Sequence, residues 1–178
     1  RNHSALSCLG RIREKDSYLI DHSVNLGVLM SIYGNHRNLG REVLHDVMVG
    51  ALLHDIGKIS IPDEILHKPG KLTDGEFEVI KSHVSKGTAI LQTTPGISEL
   101  TIIVQSQHHE KLDGTGYPLG LVGNQISDYG KMAAITDVYD AITADRVYHQ
   151  AITPTGAMKK LLEWSDNHLE RKLVVEFI

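Results

Sequence analysis

The stretch from Leu44 to Leu52 constrains the fold more than any other part of the chain. Leu44, Val47, Met48, Ala51 and Leu52 recur at three- and four-residue spacing, which is one face of a helix. Helical periodicity dominates the rest of the chain too. Runs that alternate apolar and polar side chains, the mark of half-buried strands, are nearly absent. The expected fold class is therefore all-α, a compact helical bundle. At 178 residues, 41% of them hydrophobic, the chain has the length of one ordinary domain and can bury a proper core.

Caps and breakers divide the pattern. A first helix is expected over residues 16–36, ended by Gly34 and Asn35, and a second from Leu39 to about Gly57. "KISIPDEILHKPGKL" follows, with two prolines and a glycine, and reads as a long irregular connection. Thr73 with Glu76 has capping-box spacing and predicts a helix over 74–91. Pro95-Gly96 breaks the chain before a helix over 97–110. The glycine-rich "LDGTGYPLGLVGNQ" ends that order, and a further helix is expected over 127–144. Thr153-Pro154 reads as an N-cap with proline at the first helical position of a last helix, which carries Met158, Leu161 and Leu162. Residues 1–15 read as a lead-in or linker from an upstream region, and 16–178 as one domain. A start at Arg1 rather than Met suggests a fragment of a longer protein.

Charge and cysteine usage narrow the function classes. The net charge of −4 weighs against nucleic acid as a main partner, because phosphate backbones select basic faces. Cys8 is the single cysteine, so no disulfide forms within the chain, and a reducing, cytoplasmic setting is expected. No apolar run approaches the roughly 20 residues of a membrane span, and no signal peptide is visible.

The chemistry lies where polar residues interrupt apolar faces. One turn beyond Ala51 and Leu52, the stripe of the second helix reaches Asp55, with His54 beside it. His83 extends the face of Val79, Ile80 and Val84, and His22 sits within an amphipathic helix. Asp137 lies in the small and apolar "AAITDVYDAIT", and His108 and His109 stand side by side at the end of a helix. Singly, each reads as an ordinary core or capping residue. Together they are five imidazoles and two carboxylates on five expected helices, and facing helices of a bundle are where metal sites are built. The set suffices for two metals sharing a carboxylate. Its nitrogen content favours Fe, Mn, Ni, Co or Zn over Mg or Ca. Such a pair suits hydrolysis of a phosphate ester, activating water and holding the attacking and leaving oxygens.

Two stretches carry a resemblance to a known family. "HDIGK" at 54–58 and "HHEKLDGTGYP" at 108–118 resemble the signature motifs of the HD-GYP cyclic-dinucleotide phosphodiesterases. "IPDEILHKPGKLTDGE" between them and "TDVYDAITADRVY" at 136–148 resemble the family's connecting segment and later helix. The similarity runs from about residue 16 to the C-terminus. It implies an HD-type bundle in bacterial second-messenger signalling that hydrolyses cyclic di-GMP to pGpG, and in some cases on to GMP. The alternatives it leaves open are 3′3′-cyclic GMP-AMP as substrate, or a module that binds a cyclic dinucleotide or partner without turnover. It implies His22, His54, Asp55 and Asp137 around a first metal and His83, His108 and His109 around a second, with Asp55 bridging. It gives Lys58 a phosphate contact and Arg146 a nucleotide contact. The loop of Asp113, Gly114, Gly116, Tyr117 and Pro118 would shape the pocket rim and face partner domains. An upstream sensory or receiver domain and a GGDEF-type partner belong to the same expectation.

Three positions depart from the family pattern. Tyr18 stands one turn before His22, where some members carry a glutamate that holds a third metal, so two metals are expected. His149 replaces a basic residue that can meet substrate, which predicts binding that weakens from about pH 6 to pH 8 as an imidazole of ordinary pKa near 6.5 loses its charge. The Asp-Pro that often precedes the last helix is absent, with Glu170-Arg171 nearby.

Overall fold

The computed structural model describes Gly10 and residues 17–144, 151–165 and 167–178. Among these the chain is helical without strands. Its helices are α1 (Ser17–His36), α2 (Arg41–Leu52), α3 (Asp63–Leu66), α4 (Asp74–Gln92), α5 (Glu99–Gln107), α6 (Asp128–Thr143), α7 (Pro154–Trp164) and α8 (Arg171–Phe177). A 3-10 turn at Ile56–Ser60 follows α2. An isolated bridge joins Asp113 to Val122.

The capping signals act as read. The Thr73 hydroxyl accepts from Glu76 N–H, and the Glu76 carboxylate accepts from Thr73 N–H. Ser98, Ser127 and Thr153 cap α5, α6 and α7 in the same way, each satisfying an orphan amide of a first turn. The ends differ more. Helix α1 ends at the expected His36, running through Gly34 and Asn35, and the reversal falls at Asn38, whose φ is 56°. Helix α2 stops at Leu52, five residues before the expected Gly57, because the chain tightens into the 3-10 turn. The "irregular" connection contains that turn and the short α3. The last expected helix is two, α7 and α8.

Helix α6 is the axis of the bundle. Residues 130–137 are buried without interruption, so it presents no solvent stripe. Helices α1, α5 and α7 pack around it. The main core joins Leu26 and Met30 of α1, Val47 and Ala51 of α2, Val104 of α5, and Met132 and Ile135 of α6. A second cluster gathers Leu19, Leu53, Ile56 and Leu91. Glu170, unassigned from sequence, stands just before the first turn of α8, and its carboxylate pairs with the buried Lys131 of α6 at 3.4 Å.

Candidate metal centre

The seven ligand-type residues meet between α1, α4, α6, the turn after α2 and the end of α5. His22, His54, Asp55, His83 and His108 are each less than 5% exposed. Asp55 gets there by a route different from the one expected. It does not continue the α2 stripe; it lies beyond the helix end and caps the 3-10 turn at φ −96°, ψ 10°. The turn holds this place because Gly57 has no side chain. A Cβ at Gly57 would overlap the backbone carbonyl of His83 and come within 2.6 Å of Gly87 N. The glycine of HDIGK is what lets the Asp55 turn lie directly on α4.

Backbone carbonyls orient the imidazoles. His54 Nδ1 lies 2.8 Å from Ala51 O, His83 Nδ1 2.7 Å from Ile80 O, and His108 Nδ1 2.6 Å from Gln105 O. A carbonyl only accepts, so each Nδ1 carries the proton and each Nε2 is left with its lone pair. Those lone pairs converge. His54 Nε2 is 3.1 Å from Asp55 Oδ2 and 3.2 Å from His22 Nε2. His83 Nε2 is 3.2 Å from Asp55 Oδ1. Yet the buried Nε2 atoms of His83 and His108 and Oδ1 of Asp55 make no hydrogen bond. Three orphaned buried polar atoms facing one another are costly unless a cation serves them all. Ligand atoms fall into two groups, His22, His54 and Asp55, and His83, His108 and His109, each within 4.8 Å of one another. Asp137 spans them, 3.0 Å from His22 Nε2 and 3.8 Å from His109 Nδ1. The His/Asp cluster can bind metal.

Sequence reading missed three supporting residues. Asp140 lies one turn after Asp137 and takes His22 Nδ1–H at 2.6 Å; the i, i+3 pair of aspartates on an all-buried helix was the available signal. Gln105 donates to Val84 O at 3.0 Å and His54 O at 3.4 Å, and accepts from Thr88 Oγ1 at 2.9 Å, tying α5 to α4 and to the HD turn. Glu110, buried directly after the histidine pair, accepts from Leu119 N at 2.8 Å and Leu121 N at 2.9 Å. It holds the glycine-rich loop, which crosses the cluster through a cis Tyr117-Pro118 peptide. A side chain at Gly116 would strike the backbone of Glu110 and Lys111, so only glycine lets the loop approach so closely. Tyr117 thereby lies on His109, centroids 4.6 Å apart.

Charge separates the two groups. Burial presses the His22 imidazolium down, but its bonds to Asp137 and Asp140 outweigh that and lift it to about 9. Burial instead lowers His109 to about 4, against the charge of Asp137. It lowers His108 well below its usual range, with His109 and His54 adding to the effect. Burial would raise the carboxyls of Asp55 and Asp137, but His54 and Lys58 beside Asp55, and the hydrogen bond from His22 to Asp137, outweigh it and hold both well below the ordinary range. Lys58 Nζ is 2.6 Å from Asp55 Oδ2.

Other expected site residues are placed as follows. Tyr18 stacks against His22, ring planes 5° apart at 6.1 Å. Pro118 lines a shallow recess with Lys81 of α4. Arg146 and His149 lie outside the described residues.

A sequence profile of the HD domain family matches residues 11–173. A cyclic di-GMP phosphodiesterase of Pseudomonas aeruginosa is 39% identical over the whole of this chain and 43% of its own length. A 3′3′-cGAMP-specific phosphodiesterase of Vibrio cholerae is 42% identical over 68% of this chain and 24% of its own. The chain thus spans less than half the length of these curated relatives. Among solved structures, an HDG"Y"P protein from Bdellovibrio bacteriovorus superposes with a TM-score of 0.70, covering 89% of this chain and 51% of that one, at 18% identity. That likeness speaks for the fold. No described helix is long and apolar enough to cross a membrane.

Proposed function

This chain belongs to the HD domain family and carries the motifs of its HD-GYP group, and from that premise we propose that it is a metal-dependent phosphodiesterase that opens cyclic di-GMP to linear pGpG. The observation that carries the reading is the set of orphaned buried atoms, His83 Nε2, His108 Nε2 and Asp55 Oδ1, inside a ring of oriented imidazoles. His22, His54, Asp55 and Asp137 would hold one divalent ion and His83, His108 and His109 a second, with Asp55 shared. Bound there, the ions supply activation of water and neutralisation of charge on the phosphoryl oxygens.

The chain's own residues do the rest. Water adds to phosphorus and the ribose 3′ oxygen leaves, so that oxygen needs a proton. Lys58, whose ammonium touches the Asp55 carboxylate, is the donor placed nearest the cluster. Its charge also meets the non-bridging phosphate oxygens as they gain charge. Tyr117, set over His109 by the Glu110-held loop, excludes water from that side. Arg146 and His149 complete the substrate contacts in this proposal. The Vibrio relative supports 3′3′-cyclic GMP-AMP as a second substrate reading.

The test is anaerobic purification, metal analysis, and turnover of both cyclic dinucleotides with product identification. Cleavage of cyclic di-GMP to pGpG that tracks metal content is expected. A fully loaded protein that binds cyclic dinucleotides without cutting any of them would make it a sensor module instead.

A further inference from the structure

The chain's single tryptophan, Trp164, ends α7 beside the His/Asp cluster, and nothing in the hydrolysis above uses it. It lines a cavity of about 370 Å³, within the range of small-molecule sites. His109 and Tyr117 line the same cavity, so it begins at the cluster itself. Ala134 and Val138 of α6, which flank Asp137 in sequence, give it an apolar wall. The polar contributors include Lys111 and His168. His168 is turned to Asp113, 3.5 Å away, whereas Lys111 has no ion pair among the described residues. The ammonium of Lys160, one turn earlier on α7, stands 6.0 Å over the indole of Trp164, a cation–π contact that helps to hold the ring in place.

We propose that this cavity is a guanine pocket, in which one base of the cyclic dinucleotide stacks on Trp164 with its O6/N7 edge toward Lys111. The inference rests on the phosphodiesterase reading and adds to it the place of a base. A diester held at the cluster carries its bases one ribose away. The apolar, aromatic space that opens from His109 is where a flat purine loses least by leaving water. An indole supplies stacking that any base can use. Lys111 adds the preference, because guanine offers two acceptors on that edge where adenine places an amino donor.

Because Trp164 is the only tryptophan, its fluorescence reports the pocket directly. A non-hydrolysable phosphorothioate cyclic di-GMP is titrated into the metal-loaded protein, with calorimetry in parallel. Saturable quenching of Trp164 at the calorimetric Kd is expected. Trp164→Ala is expected to weaken binding about 10–100-fold and Trp164→Phe to recover most of it. Lys111→Met is expected to weaken the cyclic di-GMP analogue about tenfold and to leave the cyclic di-AMP analogue unchanged. Tight binding with unquenched fluorescence, or a Trp164→Ala protein of normal circular dichroism, metal content and affinity, overturns the pocket while the phosphodiesterase reading stands. A wild-type protein that neither binds nor cuts any cyclic dinucleotide overturns both.

Discussion

Asp140→Asn probes His22, a proposed ligand whose charge state the fold sets against a metal. Asp140 accepts His22 Nδ1–H at 2.6 Å in a site where both partners are buried. A hydrogen bond to a charged group there is worth about 1.5–3 kcal/mol, and loss of such a partner to a ligating histidine commonly costs about 10–100-fold in metal affinity. The same carboxylate also favours a proton. In the metal-free fold His22 is raised to about 9, so the charged form stabilises the protein. That contribution is complete below the unfolded value near 6.5 and is lost as pH rises through about 9. An ion arriving at His22 must therefore displace a proton. Its apparent affinity should rise about tenfold per pH unit, or about 100-fold from pH 6 to pH 8. His108 and His109, lowered by burial, are already neutral in that window, and an ion bound to them should show a shallow slope. Asp140→Asn removes the orienting bond and part of the proton's stabilisation together. The variant should bind the His22 ion about 10–100-fold more weakly at pH 8, and approach wild type at pH 6. Cobalt(II) titration against a chromophoric chelator at pH 6, 7 and 8 reads both binding steps. Equal slopes for the two steps, or unchanged affinity of the variant at pH 8, would show that Asp140 does not control a proton on His22.

Gly57→Ala forces a Cβ into the His83 carbonyl and should part the 3-10 turn from α4, lowering metal content while circular dichroism keeps its helical signal; full metal content would show that the turn can yield. Lys58→Ala should lose about 10²–10³ in turnover and retain its ions, since the lysine touches Asp55 without being a ligand; metal loss with unchanged activity per bound ion would make it structural. Tyr18 packs face-on against His22 where a further carboxylate would stand, so anomalous scattering should find about two ions per chain. Three full sites in the wild type would defeat that count, and Tyr18→Glu is the variant expected to recruit a third.

Local pattern alone places most of the helices and singles out the polar residues proposed here as ligands. Period and caps are local properties, which is why the starts of α4, α6 and α7 fall where Thr73, Ser127 and Thr153 stand. His22, His54, His83 and Asp137 were legible because a polar group on an apolar face needs a reason. How they meet depends on packing between distant segments. Asp55 enters through a turn, not a helix face, and Gly57 permits it because the neighbour it must avoid is 26 residues ahead in sequence. Asp140, Gln105 and Glu110 looked like unremarkable polar residues. Their roles depend on which atoms lie opposite: an imidazole of α1, carbonyls of α4 and the HD turn, and amides of the glycine-rich loop. Period fixes which side of a helix faces inward. The partner of a buried hydrogen-bonding group is fixed by packing across the core, and no local stretch encodes that.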